Sequence, residues 1–272
     1  KIHKNSILLI GNFDGLHLGH QKLFKLAKKY KKEKNLKIGV ITFDPIPKMF
    51  FNKSLANYRI SNLNQKINYF NNFDIDFLIV KKFNLQFSKI KAHTFIKEII
   101  CKKLKANYIF VSNNFRFGYK REGSVDLLKN LQKKYNYKII NPKPLFKKKK
   151  IVSSTLIRKL LNKGKLNEAN NLLNRNWSVQ GIVCRGRMVG KKIGFPTANI
   201  GLSNYILPRL GVYAVKVYIE NNNKFYRGVA NIGYRPTFNQ KKILLEVNLF
   251  NFDNNIYNKK LTVEFLKFIR KE

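Results

Sequence analysis

Apolar positions along the first part of the chain follow two alternating periods. Ser6 to Ile10 is a short continuous apolar run, the pattern of a buried strand. Leu18 to Glu33 then places Leu23, Phe24, Leu26, Ala27 and Tyr30 between lysines at helical spacing. The alternation repeats downstream. Lys37 to Phe43, Phe77 to Val80, Tyr108 to Ser112 and Lys138 to Ile140 read as strands. Ser61 to Phe73, His93 to Leu104 and Ser124 to Tyr135 read as helices, the first and third opening on a serine suited to cap them. Strand and helix in alternation predict an α/β domain with a mostly parallel sheet, whose ligands bind at the carboxyl ends of the strands.

The texture changes later. Lys159 to Arg175 is helical, with Leu160, Leu161, Leu166, Ala169, Leu172 and Leu173 on its apolar side and Gly164 dividing it. After Asn176 the period is two: Val179 to Cys184, Gly211 to Glu220, Phe225 to Gly233, Ile243 to Phe252 and Leu261 to Phe268 are strand-like, with Asn- and Gly-bearing turns between them. The expected organisation is an α/β domain over residues 1–175 and a small antiparallel all-β barrel over 176–272.

Polar residues in the loops carry the candidate chemistry. Gly11-Asn12-Phe13-Asp14-Gly15-Leu16-His17-Leu18-Gly19-His20 joins the first strand to the first helix. Its glycines permit close approach by a ligand, and the helix N-terminus that follows favours an anion. His17 and His20, three apart, share one helix face and can donate to one phosphate. Two histidines at this spacing also fit a surface pair or half of a metal site, although no cysteine or third histidine lies near them. A second anion-binding element is Ser153-Ser154-Thr155-Leu156-Ile157-Arg158, where hydroxyls and a guanidinium gather at a helix start. In the barrel, Gly186, Gly190 and Gly194 space a basic loop suited to wrapping phosphates. It runs into Pro196-Thr197-Ala198-Asn199, whose Thr197 and Asn199 offer neutral oxygens to a Mg²⁺ already bound to phosphate. Ile243, Leu245, Val247 and Leu249 form one face of a strand, which leaves Glu246 and Asn248 on the other.

Composition narrows the picture. The 272 residues, 44% of them apolar, suffice for two domains with real cores. No apolar run approaches the ~20 residues that span a bilayer, and no signal peptide is visible, so the expected place is the cytoplasm. Cys101 and Cys184 give neither a disulfide framework nor a zinc site. A net charge of +41 invites a nucleic-acid reading. Lysine, however, outnumbers arginine about four to one and is spread over nearly every helix, as compositional drift would spread it. Lys147 to Lys150 reads as solvated charge rather than as a catalytic element.

The ordered set G-x-F-D-G-x-H-x-G-H resembles the signature of the bacterial FMN adenylyltransferase module, within the nucleotidylyltransferase superfamily. The Thr42-Phe43-Asp44-Pro45-Ile46-Pro47 and Asn113-Asn114-Phe115-Arg116-Phe117-Gly118 loops and the S-S-T-x-I-R element resemble its other motifs. The order G-x-x-x-G-F-P-T-A-N, then Gly211-Val212-Tyr213-Ala214, then Gly228 to Phe238, is similar to bacterial riboflavin kinase. Together they resemble the bacterial bifunctional riboflavin kinase and FAD synthetase along essentially the whole chain.

That resemblance implies a nucleotidylyltransferase-type, Rossmann-like domain followed by a riboflavin-kinase-type barrel. It implies that riboflavin and ATP give FMN, and that FMN and ATP then give FAD and pyrophosphate, with Mg²⁺ assisting. His17, His20 and Arg158 then act in adenylyl transfer. Gly11, Phe13, Asp14, Gly15, Ser153, Ser154 and Thr155 hold ATP, while Pro45, Asn114 and Phe115 line the flavin pocket. Glu246 is the base that takes the proton from the ribityl hydroxyl. Partners are then small molecules, with no specific nucleic acid and no membrane, and a homo-oligomer is left open. Lys191 stands where the family's glycine loop has arginine, and Tyr257-Asn258 where it has Y-G. The family continues past the segment matching Phe268-Ile269-Arg270 into a C-terminal helix, and without that helix a weakened kinase is expected. The rival readings are an adenylyltransferase with a decayed kinase and a basic nucleic-acid-binding protein.

Overall fold

A computed structural model describes residues 5–184, 197–222, 224–237 and 240–271. The chain forms two compact units, Lys1–Leu55 with Lys66–Val152, and Ala56–Gln65 with Ser153–Glu272.

The first unit alternates strand and helix, as the periodicity predicts. In chain order it runs β1 (Ser6–Ile10), α1 (Leu18–Lys34), β2 (Lys37–Asp44), α2 (Pro47–Phe51), most of α3 (Leu63–Asn71), β3 (Phe77–Lys82), α4 (Leu85–Ser88), α5 (Ala92–Thr94) and β4 (Ala106–Phe110). It continues with α6 (Val125–Asn130), α7 (Gln132–Tyr135), β5 (Lys138–Ile140) and a hairpin of β6 (Phe146–Lys147) and β7 (Lys150–Ile151). The five-stranded sheet has the order β3-β2-β1-β4-β5, and every pair in it is parallel. Successive β1 residues face opposite ways: Leu8 and Ile10 join the core cluster with Phe95, Ile96, Ile100 and Leu128, whereas Ile7 and Leu9 join Phe24, Ala27 and Phe70. The strand order reverses between β1 and β4, so the turns leaving those strands flank the crevice where such sheets bind ligands.

Local differences from the sequence expectations have physical causes. Helix α3 opens on Asn62 rather than Ser61: Gln65 N–H donates to Asn62 Oδ1 at 2.8 Å, and Asn62 N–H donates to Gln65 Oε1 at 3.0 Å. That reciprocal pair satisfies two helix-end donors at once. Strand β4 begins two residues earlier than the apolar run, because Ala106 pairs with Ser6 across a register shift in β1. The helix expected over His93 to Leu104 continues from α5 as a π-helix over Phe95–Lys103, with Leu104 N–H bonded to the Ile99 carbonyl at 3.0 Å. Its buried Phe95, Ile96 and Ile100 pack into the core cluster with Leu8 and Ile10. Lys147 to Lys150 forms the hairpin, with Lys148 and Lys149 at φ 48° and 61° in its turn.

In the second unit, α8 (Ser154–Asn162) and α9 (Leu166–Leu173) are separated at Gly164, whose φ of 71° a glycine adopts without strain. The strands are β8 (Ser178–Cys184), β9 (Thr197–Gly201), β10 (Gly211–Ile219), β11 (Phe225–Thr237), β12 (Gln240–Leu249) and β13 (Lys260–Arg270). They close a barrel in the order β10-β11-β12-β9-β8-β13, with all pairs antiparallel. Strand β9 was not anticipated: Thr197-Ala198-Asn199 opens a strand. Trp177, Tyr213 and Phe265 are fully buried and in ring contact. Segment 56–65 is bound to this unit. Tyr58 and Arg59 N–H donate to the Asn204 carbonyl at 3.2 and 2.8 Å, and Trp177 Nε1 donates to the Ile60 carbonyl at 2.9 Å.

Candidate functional site

The histidine turn leaves β1 in a tightly constrained path. Phe13, Gly15 and Leu16 all take positive φ, at 46°, 75° and 39°. For Phe13 and Leu16 this conformation is unfavourable by about 1–2 kcal/mol each. Burial offsets it, since Phe13 is 2% and Leu16 1% exposed. Phe13 lies edge-on to His20, Phe24 and Phe70, with centroid distances of 5.3, 5.3 and 5.8 Å. Its ring therefore supports His20 from the core side.

His17 is the N-cap of α1, and its ring stacks on His20 with centroids 3.7 Å apart. A Cβ at position 19 would come within 3.1 Å of the His17 ring and 3.2 Å of the Val152 carbonyl, so Gly19 makes room for that ring. The two imidazoles lie together at the start of a 17-residue helix with no acidic residue in its first turn. This is a setting that attracts phosphate. Asp14 is also buried in the turn, at 4% exposure.

The loop after β2 carries Pro45 and leads into an aromatic cluster. Phe83 contacts Phe43, Phe50, Phe51 and Phe87, with centroids 5.3–6.3 Å apart. Phe51 keeps 68% of its surface exposed. After β4, Asn114 is exposed and its Oδ1 accepts from Ser112 Oγ at 3.0 Å. Phe115 stacks on Phe117 at 5.4 Å. Gly118 lies against Ala92, where a Cβ would come within 2.7 Å of its backbone.

At the start of α8, Ser153 Oγ accepts from Leu156 N–H at 3.2 Å, a plain N-cap. Ser154 is half-buried and Thr155 exposed. Arg158 is 9% exposed; its Nε donates to the Tyr58 carbonyl at 2.8 Å, and its guanidinium carbon sits 3.7 Å from the Tyr58 ring centroid. Tyr58 was not singled out from the sequence.

The barrel site is made by register. Across the ladder, Asn199 pairs with Glu246, Thr197 with Asn248, and Glu246 with Asn231 on its other side. Paired residues project to the same face. Thr197, Asn199, Asn231, Glu246 and Asn248 thus share one face, while Ala198, Ala230, Leu245 and Val247 fill the interior. Asn231 is a polar neighbour of Glu246 that sequence reasoning missed. Gly186, Gly190 and Gly194 lie outside the described residues.

Among the described residues no group of three or more His, Cys, Asp or Glu is placed to hold a metal. Thr197 and Asn199 instead offer neutral oxygens beside one carboxylate, a donor set that suits a Mg²⁺ whose other ligands are phosphate and water. Burial pushes the Cys101 thiol up to about 11, away from thiolate chemistry. Among the described residues no helix is long and apolar enough to cross a membrane.

Comparisons with known proteins agree with this layout. The FAD synthetase family model matches residues 1–156 and the riboflavin kinase model residues 173–272. A bifunctional riboflavin kinase/FMN adenylyltransferase of Buchnera aphidicola subsp. Schizaphis graminum is 44% identical over 100% of this chain and 88% of its own length. The protein of that description from Haemophilus influenzae is 37% identical over 100% of this chain and 88% of its own. The one from Escherichia coli K12 is 34% identical over 98% and 85%. A solved structure described as a macrolide-efflux protein from Streptococcus pneumoniae superposes with a TM-score of 0.86, at 31% identity over 99% of this chain and 87% of that one. An α/β unit and a closed barrel matched in this order, with relatives that align along the whole length, show that the chain belongs to the bifunctional riboflavin kinase/FMN adenylyltransferase family.

Proposed function

We propose that the chain phosphorylates riboflavin with ATP to give FMN, and adenylylates FMN with ATP to give FAD and pyrophosphate. The supporting observation is that the chain carries two chemically distinct sets of phosphate-handling residues. One is the stacked His17–His20 pair at the start of α1; the other is Glu246, flanked by Asn199 and Asn231 on the polar barrel face.

In the kinase step, Glu246 accepts the proton of the ribityl hydroxyl as its oxygen bonds to the γ-phosphorus, and the bond to ADP breaks. Thr197 and Asn199 would hold the Mg²⁺ that ATP brings, whose charge offsets that of the phosphates when bound. In the second step, an FMN phosphate oxygen bonds to the α-phosphorus of ATP as the bond to the β-phosphate oxygen breaks, releasing pyrophosphate. His17 and His20 donate hydrogen bonds where negative charge gathers on those phosphates. Gly11, Asp14 and Gly15 shape the turn that receives them. Ser153, Ser154, Thr155 and Arg158 form the second anion-binding element that the family resemblance assigns to adenylyl transfer. The exposed edge of the Phe51–Phe83 cluster, with Pro45, Asn114 and Phe115 on neighbouring loops, gives the isoalloxazine an apolar surface.

The test is to incubate the protein with riboflavin, ATP and Mg²⁺ and separate the flavins chromatographically over time. FMN rising before FAD is the expected course. Conversion of added FMN to FAD with riboflavin untouched would leave only the adenylyltransferase, and no turnover of either flavin would reject the proposal.

A further inference from the structure

Lysines cover the surface of this chain, yet Lys66 on α3 is 4% exposed. Its Nζ donates to Thr42 Oγ1 at 2.9 Å and to the Asn12 carbonyl at 3.3 Å. Thr42 Oγ1, itself fully buried, donates to the same carbonyl at 3.2 Å. The three groups close a triangle between the histidine turn after β1 and the end of β2, the strand that leads into the Pro45 loop. Withdrawing an ammonium from water is unfavourable, and an apolar side chain of similar length would fill the space without that penalty. Stability alone therefore does not account for a lysine here.

We propose that Lys66 is a positioning residue for adenylyl transfer. It fixes the Asn12 carbonyl against Thr42, so that the histidine turn is held at one spacing from the end of β2, which leads into the Pro45 loop. Its Nζ also keeps a donor against the backbone of the turn read as the phosphate site, where charge builds as pyrophosphate leaves. This inference rests on reading the histidine turn as the phosphate site of the FAD-forming step.

The experiment measures FAD formation from FMN, FMN formation from riboflavin, and the thermal midpoint for Lys66→Met, Lys66→Arg, Thr42→Val and His20→Ala. Small misplacement of reacting groups is enough to slow such a step, and Lys66→Met is expected to lower kcat for FAD formation about a hundredfold. The KM for ATP should move less than kcat, and FMN formation should be unchanged. Lys66→Arg, which keeps a charge and several donors, should recover most of the rate. Thr42→Val should fall in the same direction as Lys66→Met. A full FAD-forming rate in Lys66→Met overturns the proposal, as does a loss that strikes both reactions equally and is not rescued by arginine. Should Lys66→Met not fold, an intact rate in Thr42→Val overturns it instead. If His20→Ala loses FAD formation while Lys66→Met does not, the inference fails and the phosphate-site reading stands. If His20→Ala keeps the full rate, both fall together.

Discussion

In the α/β unit the residues proposed to meet phosphate are neighbours along the chain, whereas in the barrel those proposed for the kinase step come from three strands that pairing brings side by side. Gly11 to His20 is one turn whose path is set by its own φ angles and by the rings packed beneath it. Thr197 and Asn199 on β9, Asn231 on β11 and Glu246 on β12 meet only because the ladder closes in one register. A turn localises its chemistry within a few residues and can be broken by one of them. A register distributes it, so that a slip of one residue would send every polar group to the apolar side.

The largest test of that comparison exchanges the two losses. His20→Ala should lower FAD formation from FMN by about a thousandfold and leave FMN formation from riboflavin intact, since charge-stabilising donors are worth that much in comparable sites. Glu246→Gln should lower FMN formation by about a hundredfold or more and spare FAD formation when FMN is supplied, the range for removing a general base. Equal damage to both reactions by either change would mean that the two sets of residues do not divide the chemistry.

The same contrast explains what was legible in the sequence. The histidine turn, the Ser124 and Ser153 caps and the Gly164 break are local signals, and the structure places each where the sequence does. Asn231 could not be singled out, because nothing along the chain says which residue lies opposite Glu246. Strand β9 was hidden because its alternation, Ala198 and Ile200 between Thr197, Asn199 and Gly201, spans only five residues behind a glycine-rich stretch. Lys66 did leave a trace. It interrupts the apolar positions Leu63, Ile67 and Phe70 of α3, where an exposed lysine would be out of place. In a chain with so many lysines that signal is easily lost.

The start of α8 combines the two constructions. Its hydroxyls and Arg158 are contiguous, but Arg158 is held by Tyr58, 100 positions earlier in the chain. Tyr58→Ala should lower FAD formation about tenfold, the size of a desolvated cation–π contact, while Tyr58→Phe keeps both the ring and the carbonyl and should be near normal. In an Arg158→Ala background, Tyr58→Ala should add little, because the two residues act as one unit. Additive losses in that double-mutant cycle would separate Tyr58 from the arginine's role.

The smallest effect lies away from the ligand loops, where β2 and β3 begin. Asp76 Oδ2 accepts from Ile38 N–H at 2.7 Å and pairs with Lys31 Nζ at 2.9 Å. Burial alone would push the Asp76 carboxyl up, but the hydrogen bonds from Lys31 and Ile38 and the Lys31 charge outweigh it and hold its pKa below the usual value. Burial likewise disfavours the charged Lys31 amine, and its carboxylate partners Asp76 and Asp74 outweigh that and raise it. The sign follows from linkage. With a folded pKa below the ordinary aspartate value of about 3.9, Asp76 contributes stability above that pH, and the contribution is lost as pH falls through the folded pKa. The Lys31 contribution is present below its ordinary pKa of about 10.4 and is lost as pH rises through the raised one. Asp76→Asn should therefore reduce unfolding free energy at pH 6 by about 1–2 kcal/mol, the size of a partly exposed charge-assisted contact, and by less at pH 3. Urea midpoints of the two proteins that differ as much at pH 3 as at pH 6 would show that this ion pair does not clamp the strands, and that the sheet beneath the histidine turn is held by its apolar faces alone.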